Sequence, residues 1–167
     1  MYLGEMDLHL QEKSSIWIKT DTRLLKKETF GMRYDKERHD NLVLCFKNSI
    51  SQSMGDKMQL LSESTEWNRY SDFELEYLYI PREFNIRIQN QRDLFTIEII
   101  DEDGAHNTLQ RIEKFNNLLT EPNILSAIKV LQRTLSMDYF NLYVYKDGKV
   151  YKKIDNKLYR VRDTRNL

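Results

Sequence analysis

The sequence predicts an α+β fold with mostly antiparallel sheet. A two-helix hairpin at about residues 108–135 packs on the sheet, and a C-terminal three-stranded meander follows the hairpin. Three observations lead to this prediction. Apolar and polar residues alternate in several segments before residue 104, apolar residues then recur at helical spacing, and two turn-forming pairs divide the last basic segment. The chain has 167 residues, of which 40% are hydrophobic, and this fits one domain. We therefore expect a single α+β domain over 1–167, with sub-layers at 1–104 (mostly β) and 105–167 (ααβββ).

The first elements are predicted from short patterns. Residues 6–11 and 16–18 alternate apolar and polar side chains, which predicts two strands. A short helix is predicted at Arg23–Lys27, within a segment dominated by charge.

The next segment combines an apolar run with a spaced apolar pattern. The run LVLCF at Leu42–Phe46 predicts a buried strand. Met54, Met58 and Leu61 share helical spacing, which indicates a helix, although glycine and several serines lie among them.

Strands at 73–79, 84–88 and 94–100 predict an antiparallel meander with an acidic rim. In the first, aromatic and aliphatic residues alternate with Glu74 and Glu76. Pro81 ends it, because proline has no amide hydrogen to give to the ladder. A turn at 89–92 joins the other two.

Two helices are predicted to follow. The first covers about 108–119, and the second runs to about Leu135 with Thr120 as its cap and Pro122 in its first turn. The second helix turns one apolar face inward, which carries Ile124, Ile128, Leu131 and Leu135.

The C-terminal segment repeats one phrase, DGKVYK and then DNKLYR. If Asp-Gly at 147–148 and Asp-Asn at 155–156 form two-residue turns, Val144 opposes Tyr151 and Tyr145 opposes Val150, while Lys153 opposes Leu158 and Lys152 opposes Tyr159. The first strand is apolar on both sides, so we expect it to be central. On this register the tyrosines at 143, 145 and 159 share one face, which we expect to be buried.

The net charge of zero conceals a division along the chain. Residues 61–104 carry 4 basic and 11 acidic groups, a net of −7, whereas residues 139–167 carry 8 basic and 3 acidic groups, a net of +5. Such a division is typical of surfaces for partners of opposite charge. We favour the other interpretation, in which the two regions face each other and partly cancel, or are solvated faces.

No catalytic motif is present in the sequence. There is no glycine-rich phosphate loop, no paired-cysteine zinc signature and no nucleophile elbow. The single cysteine, Cys45, is expected to be a buried small hydrophobe. We predict no catalytic residue, no cofactor and no metal, and a cytoplasmic protein without a membrane-spanning segment.

The favoured interpretation is a non-enzymatic protein that binds a protein partner with a basic groove. Exposed aromatics supply anchors and carboxylates supply steering. The residue bias, rich in isoleucine, asparagine, lysine and tyrosine and poor in alanine, matches AT-rich codons and suggests a phage or mobile-element inhibitor of a host nucleoprotein complex, such as an anti-CRISPR protein. The predicted binding residues are Trp67, Tyr70, Asp72, Glu74, Glu76, Asp101, Glu102 and Asp103.

Two alternatives stay open. The first is direct nucleic-acid binding by the basic meander, through Lys149, Lys153, Arg160 and Arg162. The second is a metal-dependent hydrolase in which Asp101 and Asp103 are ligands and His106 lies nearby, although a solvated acidic turn gives the same pattern. Neither the partner nor the oligomeric state follows from the sequence.

Overall fold

A computed structural model describes residues 35–68, 70 and 72–162. The predicted strands at 6–11 and 16–18 and the predicted helix at Arg23–Lys27 lie outside these described residues. The single domain over 1–167 and its two sub-layers therefore stay predictions.

The described residues form three α-helices and eight strands, as the sequence predicts for an α+β fold with antiparallel sheet. The sheet is one up-and-down meander, in which the strands follow chain order and each pairs antiparallel with the next. In chain order the elements are α1 (Lys36–Met54), β1 (Met58–Ser64), β2 (Phe73–Tyr79), β3 (Phe84–Gln91), β4 (Leu94–Ile100), β5 (His106–Thr108), α2 (Leu109–Ile112), α3 (Glu121–Leu135), β6 (Leu142–Lys146), β7 (Lys149–Ile154) and β8 (Lys157–Arg160).

The core lies on one face of this sheet. Burial alternates strictly along β2, with Phe73, Leu75, Tyr77 and Tyr79 buried and the residues between them partly exposed. Helices α1 and α3 pack against each other and supply the other side of the core, with the Phe46 ring 5.8 Å from that of Phe73. The opposite face of the sheet, called the open face below, therefore presents Glu74 and its neighbours to solvent.

The strand predicted at Leu42–Phe46 is wrong, because these residues belong to helix α1. Asp35 caps the helix by accepting a hydrogen bond from the Arg38 backbone N–H at 2.8 Å. The buried positions continue at helical spacing well beyond the five-residue run, and Leu44 inside the run is half exposed. The residues of α1 that are buried are His39, Leu42, Val43, Phe46, Ser49, Ile50 and Met54.

The helix suggested by Met54, Met58 and Leu61 is also wrong. Helix α1 ends at Met54, a short 3₁₀ turn follows, and Met58 begins strand β1. Gly55 adopts a φ of 51°, which glycine tolerates and which ends the helix.

The predicted helical hairpin at 108–135 is only half formed. Its first helix is a single turn, α2, after which the chain extends and runs along the start of β4, where the Phe95 backbone N–H donates to the Asn117 carbonyl at 3.0 Å. Asn116 Oδ1 accepts a local hydrogen bond from the Leu118 backbone N–H, which competes with helix formation, and Asn117 Nδ2 donates to the Phe95 carbonyl on β4. The second helix is confirmed as α3.

Helix α3 has the predicted boundaries and inward face. Pro122 lies in its first turn, and Thr120 stands at its N-cap position, although the Thr120 side chain makes no capping hydrogen bond. Its four predicted core residues, Ile124, Ile128, Leu131 and Leu135, are at most 2% exposed.

The C-terminal meander has the predicted register. Val144 pairs with Tyr151 and Lys152 with Tyr159, and β6 is central between β5 and β7. Both turns have positive φ at both central residues, as two-residue hairpins require.

The expected burial of the tyrosines at 143, 145 and 159 is wrong. They share one face, as predicted, but it is the open face of the sheet. Tyr145 is 54% exposed, Tyr159 is 52% exposed and Tyr143 is partly exposed. The core covers the other side of β6, where Leu142 is buried.

Candidate functional site

Three carboxylates surround one guanidinium on the open face of β2–β4. Arg87 Nε lies 3.1 Å from a carboxylate oxygen of Glu76 and 3.7 Å from one of Glu74, and a terminal nitrogen of Arg87 lies 3.7 Å from Glu98. Glu76 and Glu98 flank Arg87 because the three residues pair directly across neighbouring strands. Hydrogen bonds from Arg87 and Ser62 hold the pKa of Glu76 below its ordinary value. This cluster retains an excess of two negative charges.

A groove opens beside this cluster, at the end of the sheet where β2 begins and β3 ends. Its volume is about 570 Å³. We call it the acidic groove; its lining includes Glu66, Trp67, Asp72, Glu74, Gln89 and Gln91. No lysine or arginine stands among its described lining residues. Three carboxylates and an indole ring thus meet in one concave site.

Helix α1 holds the loop that forms one wall of the acidic groove. His39 is fully buried, its Nε2 donates to the Thr65 carbonyl at 3.1 Å, and its ring meets that of Trp67 edge to face at 5.5 Å. Asn68 Oδ1 accepts from the backbone N–H groups of Tyr70 at 2.9 Å and Asp72 at 3.2 Å. His39 therefore holds Trp67 at the groove, and Asn68 links Tyr70 to Asp72.

His39 is a positioning residue that sequence reasoning missed. The available signal is its place on α1, three residues before the buried Leu42 and four before Val43. When residues 42–46 are interpreted as a strand, the helical spacing to Leu42 and Val43 no longer predicts that His39 is buried.

The predicted acidic and aromatic residues are only partly brought together. Trp67, Asp72 and Glu74 line the acidic groove, and Tyr70 lies half exposed in the same loop. Glu76 belongs to the Arg87 cluster.

The other three predicted acidic residues, Asp101, Glu102 and Asp103, follow β4. They lie beyond the opposite end of the sheet, roughly 20 Å away along a seven-residue strand.

Lys153 joins Asp101 and Asp103. Its Nζ lies 2.7 Å from Asp101 Oδ2 and 2.6 Å from Asp103 Oδ2. Hydrogen bonds to Asp101 and Asp103 raise the pKa of Lys153. Asp101 also accepts the backbone N–H groups of Asp103 and Ala105, and it is buried. Within the described residues, the acidic segment and the basic C-terminal segment are joined by these ion pairs, and the charge of Lys153 offsets one of the two carboxylate charges.

The remaining predicted cations are exposed. Lys149, Arg160 and Arg162 are fully accessible on β7, on β8 and just after it. Lys149 and Arg160 share with Lys153 the side of the meander opposite to the open face.

An exposed aromatic and cationic surface covers the open face of β5–β8. We call it the tyrosine face; it comprises His106, Arg111, Tyr139, Tyr143, Tyr145, Lys152, Lys157 and Tyr159. The rings of His106 and Tyr145 stack at 5.5 Å, and Lys152 Nζ lies 5.7 Å from the Tyr139 ring centre. The sequence predicts that Tyr143, Tyr145 and Tyr159 of this surface share one face, but it wrongly predicts that this face is buried.

Cys45 is the single cysteine of the chain. Burial raises the pKa of the Cys45 thiol, so the reactive thiolate is disfavoured at neutral pH. No group of three or more His, Cys, Asp or Glu side chains within residues 35–68, 70 and 72–162 is arranged to hold a metal ion. No helix among those residues is long and apolar enough to cross a membrane.

No family model, no curated protein and no solved structure matches this chain.

Proposed function

We propose that this protein is a non-enzymatic, cytoplasmic binding protein whose acidic groove receives a cationic segment of a partner protein. The observation that carries the proposal is that Glu66, Asp72, Glu74 and Trp67 line one groove, with no lysine or arginine among the described lining residues. An arginine or lysine side chain in this groove would gain both carboxylate partners and an aromatic face.

The arrangement fits an interface anchor better than a small-molecule site. The groove is open and its lining is mainly polar, whereas small-molecule pockets are enclosed and mostly apolar. Trp67 is partly exposed and held by His39, so it loses little side-chain freedom when a partner binds. The neighbouring Arg87 cluster adds negative charge, which steers a basic partner toward the groove.

The specific form of the proposal is an inhibitor of a host nucleic-acid-handling complex, of the anti-CRISPR kind, encoded by a phage or mobile element. The nucleic-acid channel of such a complex is lined with lysine and arginine, so carboxylates on a rigid sheet can take the place of phosphates. The residue bias toward AT-rich codons supports this form.

The test compares two triple variants that remove the same charge. Glu66→Gln, Asp72→Asn and Glu74→Gln neutralise the acidic groove, whereas Glu37→Gln, Asp56→Asn and Glu83→Gln neutralise three exposed acids elsewhere. Binding of a labelled nona-arginine peptide is measured at low salt. We expect the groove variant to lose at least about tenfold in affinity and the control to change by less than about twofold. Equal losses in both variants would show that only net charge matters.

The same pair of variants then serves for capture of the partner. Tagged wild-type protein is incubated with lysate of its native host, and bound proteins are identified by mass spectrometry. The proposal requires a captured protein that disappears with the groove variant and persists with the control. A partner that is retained by the groove variant would place the binding site elsewhere.

A further inference from the structure

We infer that the tyrosine face binds single-stranded nucleic acid, with bases stacked on its tyrosine rings. This site lies on strands β5–β8 and is separate from the acidic groove, so it does not depend on the function proposed above. It also uses the opposite side of the meander from the cations predicted for nucleic-acid binding.

The aromatic rings of the tyrosine face are the first feature that favours a nucleic-acid ligand. Tyr139, Tyr145 and Tyr159 are each more than half exposed, although large aromatic side chains are usually placed in a core. Tyr145 and Tyr159 lie on the open face of the sheet and Tyr139 lies beside Lys152, so their rings are available to planar ligands. Base stacking on such rings is tolerant of sequence, because every base has a π face.

The cations of the tyrosine face are the second feature that favours a nucleic-acid ligand. Arg111, Lys152 and Lys157 extend the same face, and none of them forms an ion pair with the described carboxylates. Arg111 instead approaches the Tyr145 hydroxyl at 3.5 Å, and Lys152 lies over the Tyr139 ring. Uncompensated positive charge between aromatic rings suits a ligand that alternates rings with negative groups. A nucleic-acid strand has that pattern.

A pocket at the edge of the tyrosine face favours binding of a single strand over binding of a duplex. It has a volume of about 390 Å³, and Arg111, Tyr139 and Tyr143 stand around it. Asn107, also in its lining, is 4% exposed; its Nδ2 donates to the Asn141 carbonyl, and its Oδ1 has no donor among the described residues. A base turned into the pocket would lie beside Tyr139 and Tyr143, with its phosphate near Arg111. Only an unpaired base can enter.

The test measures fluorescence polarisation of labelled 12-nucleotide oligo(dT), a mixed-sequence single strand and the corresponding duplex, with the full chain. We expect both single strands to bind more tightly than the duplex. Three phosphate contacts predict a loss of about 20-fold in affinity between 50 and 200 mM salt.

Paired substitutions separate stacking from charge. Tyr145→Ala with Tyr159→Ala should weaken binding at least about tenfold, whereas Tyr145→Phe with Tyr159→Phe keeps the rings and should stay within about threefold of wild type. Arg111→Gln with Lys152→Gln should weaken binding and flatten the salt dependence, whereas Lys149→Gln with Arg160→Gln on the opposite side should do neither.

Several results would overturn the inference. These are no binding at 50 mM salt, equal affinity for the duplex, an alanine pair that binds like wild type, or competition by polyglutamate as effective as by unlabelled oligonucleotide. The groove variant Glu66→Gln, Asp72→Asn and Glu74→Gln should bind oligonucleotide at least as well as wild type. Failure of one site is therefore distinguishable from failure of the other.

Discussion

Lys153 connects two distant parts of the chain through a single ammonium group. Its side chain is 12% exposed, and it reaches from β7 to Asp101 and Asp103 beyond the end of β4. Elsewhere β6 is joined to β5 by one residue pair, His106 with Tyr143. The ion pairs of Lys153 therefore help to fix the last three strands on the rest of the sheet.

Replacing Lys153 by methionine should lower the free energy of unfolding by about 2 kcal/mol, because it leaves the buried Asp101 without its cation. The cost stays moderate because Asp103 is 62% exposed and Asp101 keeps two backbone donors. Urea denaturation measures the effect. The matched control, Lys149→Met, removes an exposed lysine without an ion pair and should change the free energy by less than about 0.5 kcal/mol.

The effect of Lys153 should depend on pH in one direction. Because its pKa is raised in the folded state, its ion pairs stabilise the fold fully below the pKa of an unfolded lysine, about 10.4. This stabilisation is lost as the pH rises through the folded-state pKa. The difference between wild type and Lys153→Met should thus be constant from about pH 7 to 9 and shrink above about pH 10.5. A difference that grows with alkaline pH would contradict this assignment.

At the scale of elements, the turn between β3 and β4 has the backbone of a two-residue hairpin but carries one unsuitable residue, Arg92. Arg92 and Asp93 have φ values of 50° and 69°. The same conformation is occupied by Asp147-Gly148 and by Asp155-Asn156, whose residue types tolerate it better.

Substituting Asn-Gly for Arg92-Asp93 should therefore raise the free energy of unfolding by about 1 kcal/mol. The hydrogen bonds that the turn makes through Arg92 N–H and the Asp93 carbonyl use backbone atoms and are retained. The gain is read as a higher urea midpoint at unchanged slope. Substituting Asn-Gly for Asp155-Asn156 is the control and should give a smaller gain. A lower midpoint for the first variant would mean that the Arg92 or Asp93 side chain stabilises the fold.

Local chemistry explains which elements the sequence predicts correctly. The register of β6–β8 follows from the two short turns, and the strands from Phe73 to Ile100 follow from strict alternation. Leu42–Phe46 was misassigned because a five-residue apolar run is too short to separate a strand from a helix. The pattern is helical only when His39, Ile50 and Met54 are included.

The candidate surfaces depend on tertiary packing that a sequence does not reveal. Register determines that Tyr143, Tyr145 and Tyr159 share a face, but which face is covered depends on where α1 and α3 dock. Likewise, Asp72 and Glu74 could be recognised as acidic, but their meeting with Trp67 requires the contact of His39 with the loop. The ion pairs of Lys153 with Asp101 and Asp103 also join residues that are distant in sequence.

At the scale of the whole described unit, the open face is divided into two halves of opposite charge. Strands β2–β4 carry the carboxylates around Arg87, and β5–β8 carry the tyrosine face. The two halves lie side by side on one sheet, so they do not neutralise each other face to face. Under our two proposals together, a nucleoprotein partner would present its protein to the acidic half and its single strand to the basic half.

Local stability should also differ between the two parts of the sheet, and hydrogen exchange can measure the difference. Ile86 and Ile97, on β3 and β4, are fully buried beneath the helices, whereas every residue of the edge strand β8 is exposed. Amides of β3 and β4 should therefore exchange through global unfolding, and the paired amides of β8 should exchange at least about 100-fold faster through local opening. Lys153→Met should accelerate exchange in β6 and β7 more than in β3 and β4. Uniform protection across all eight strands would show instead that the C-terminal strands unfold only together with the helix-covered core.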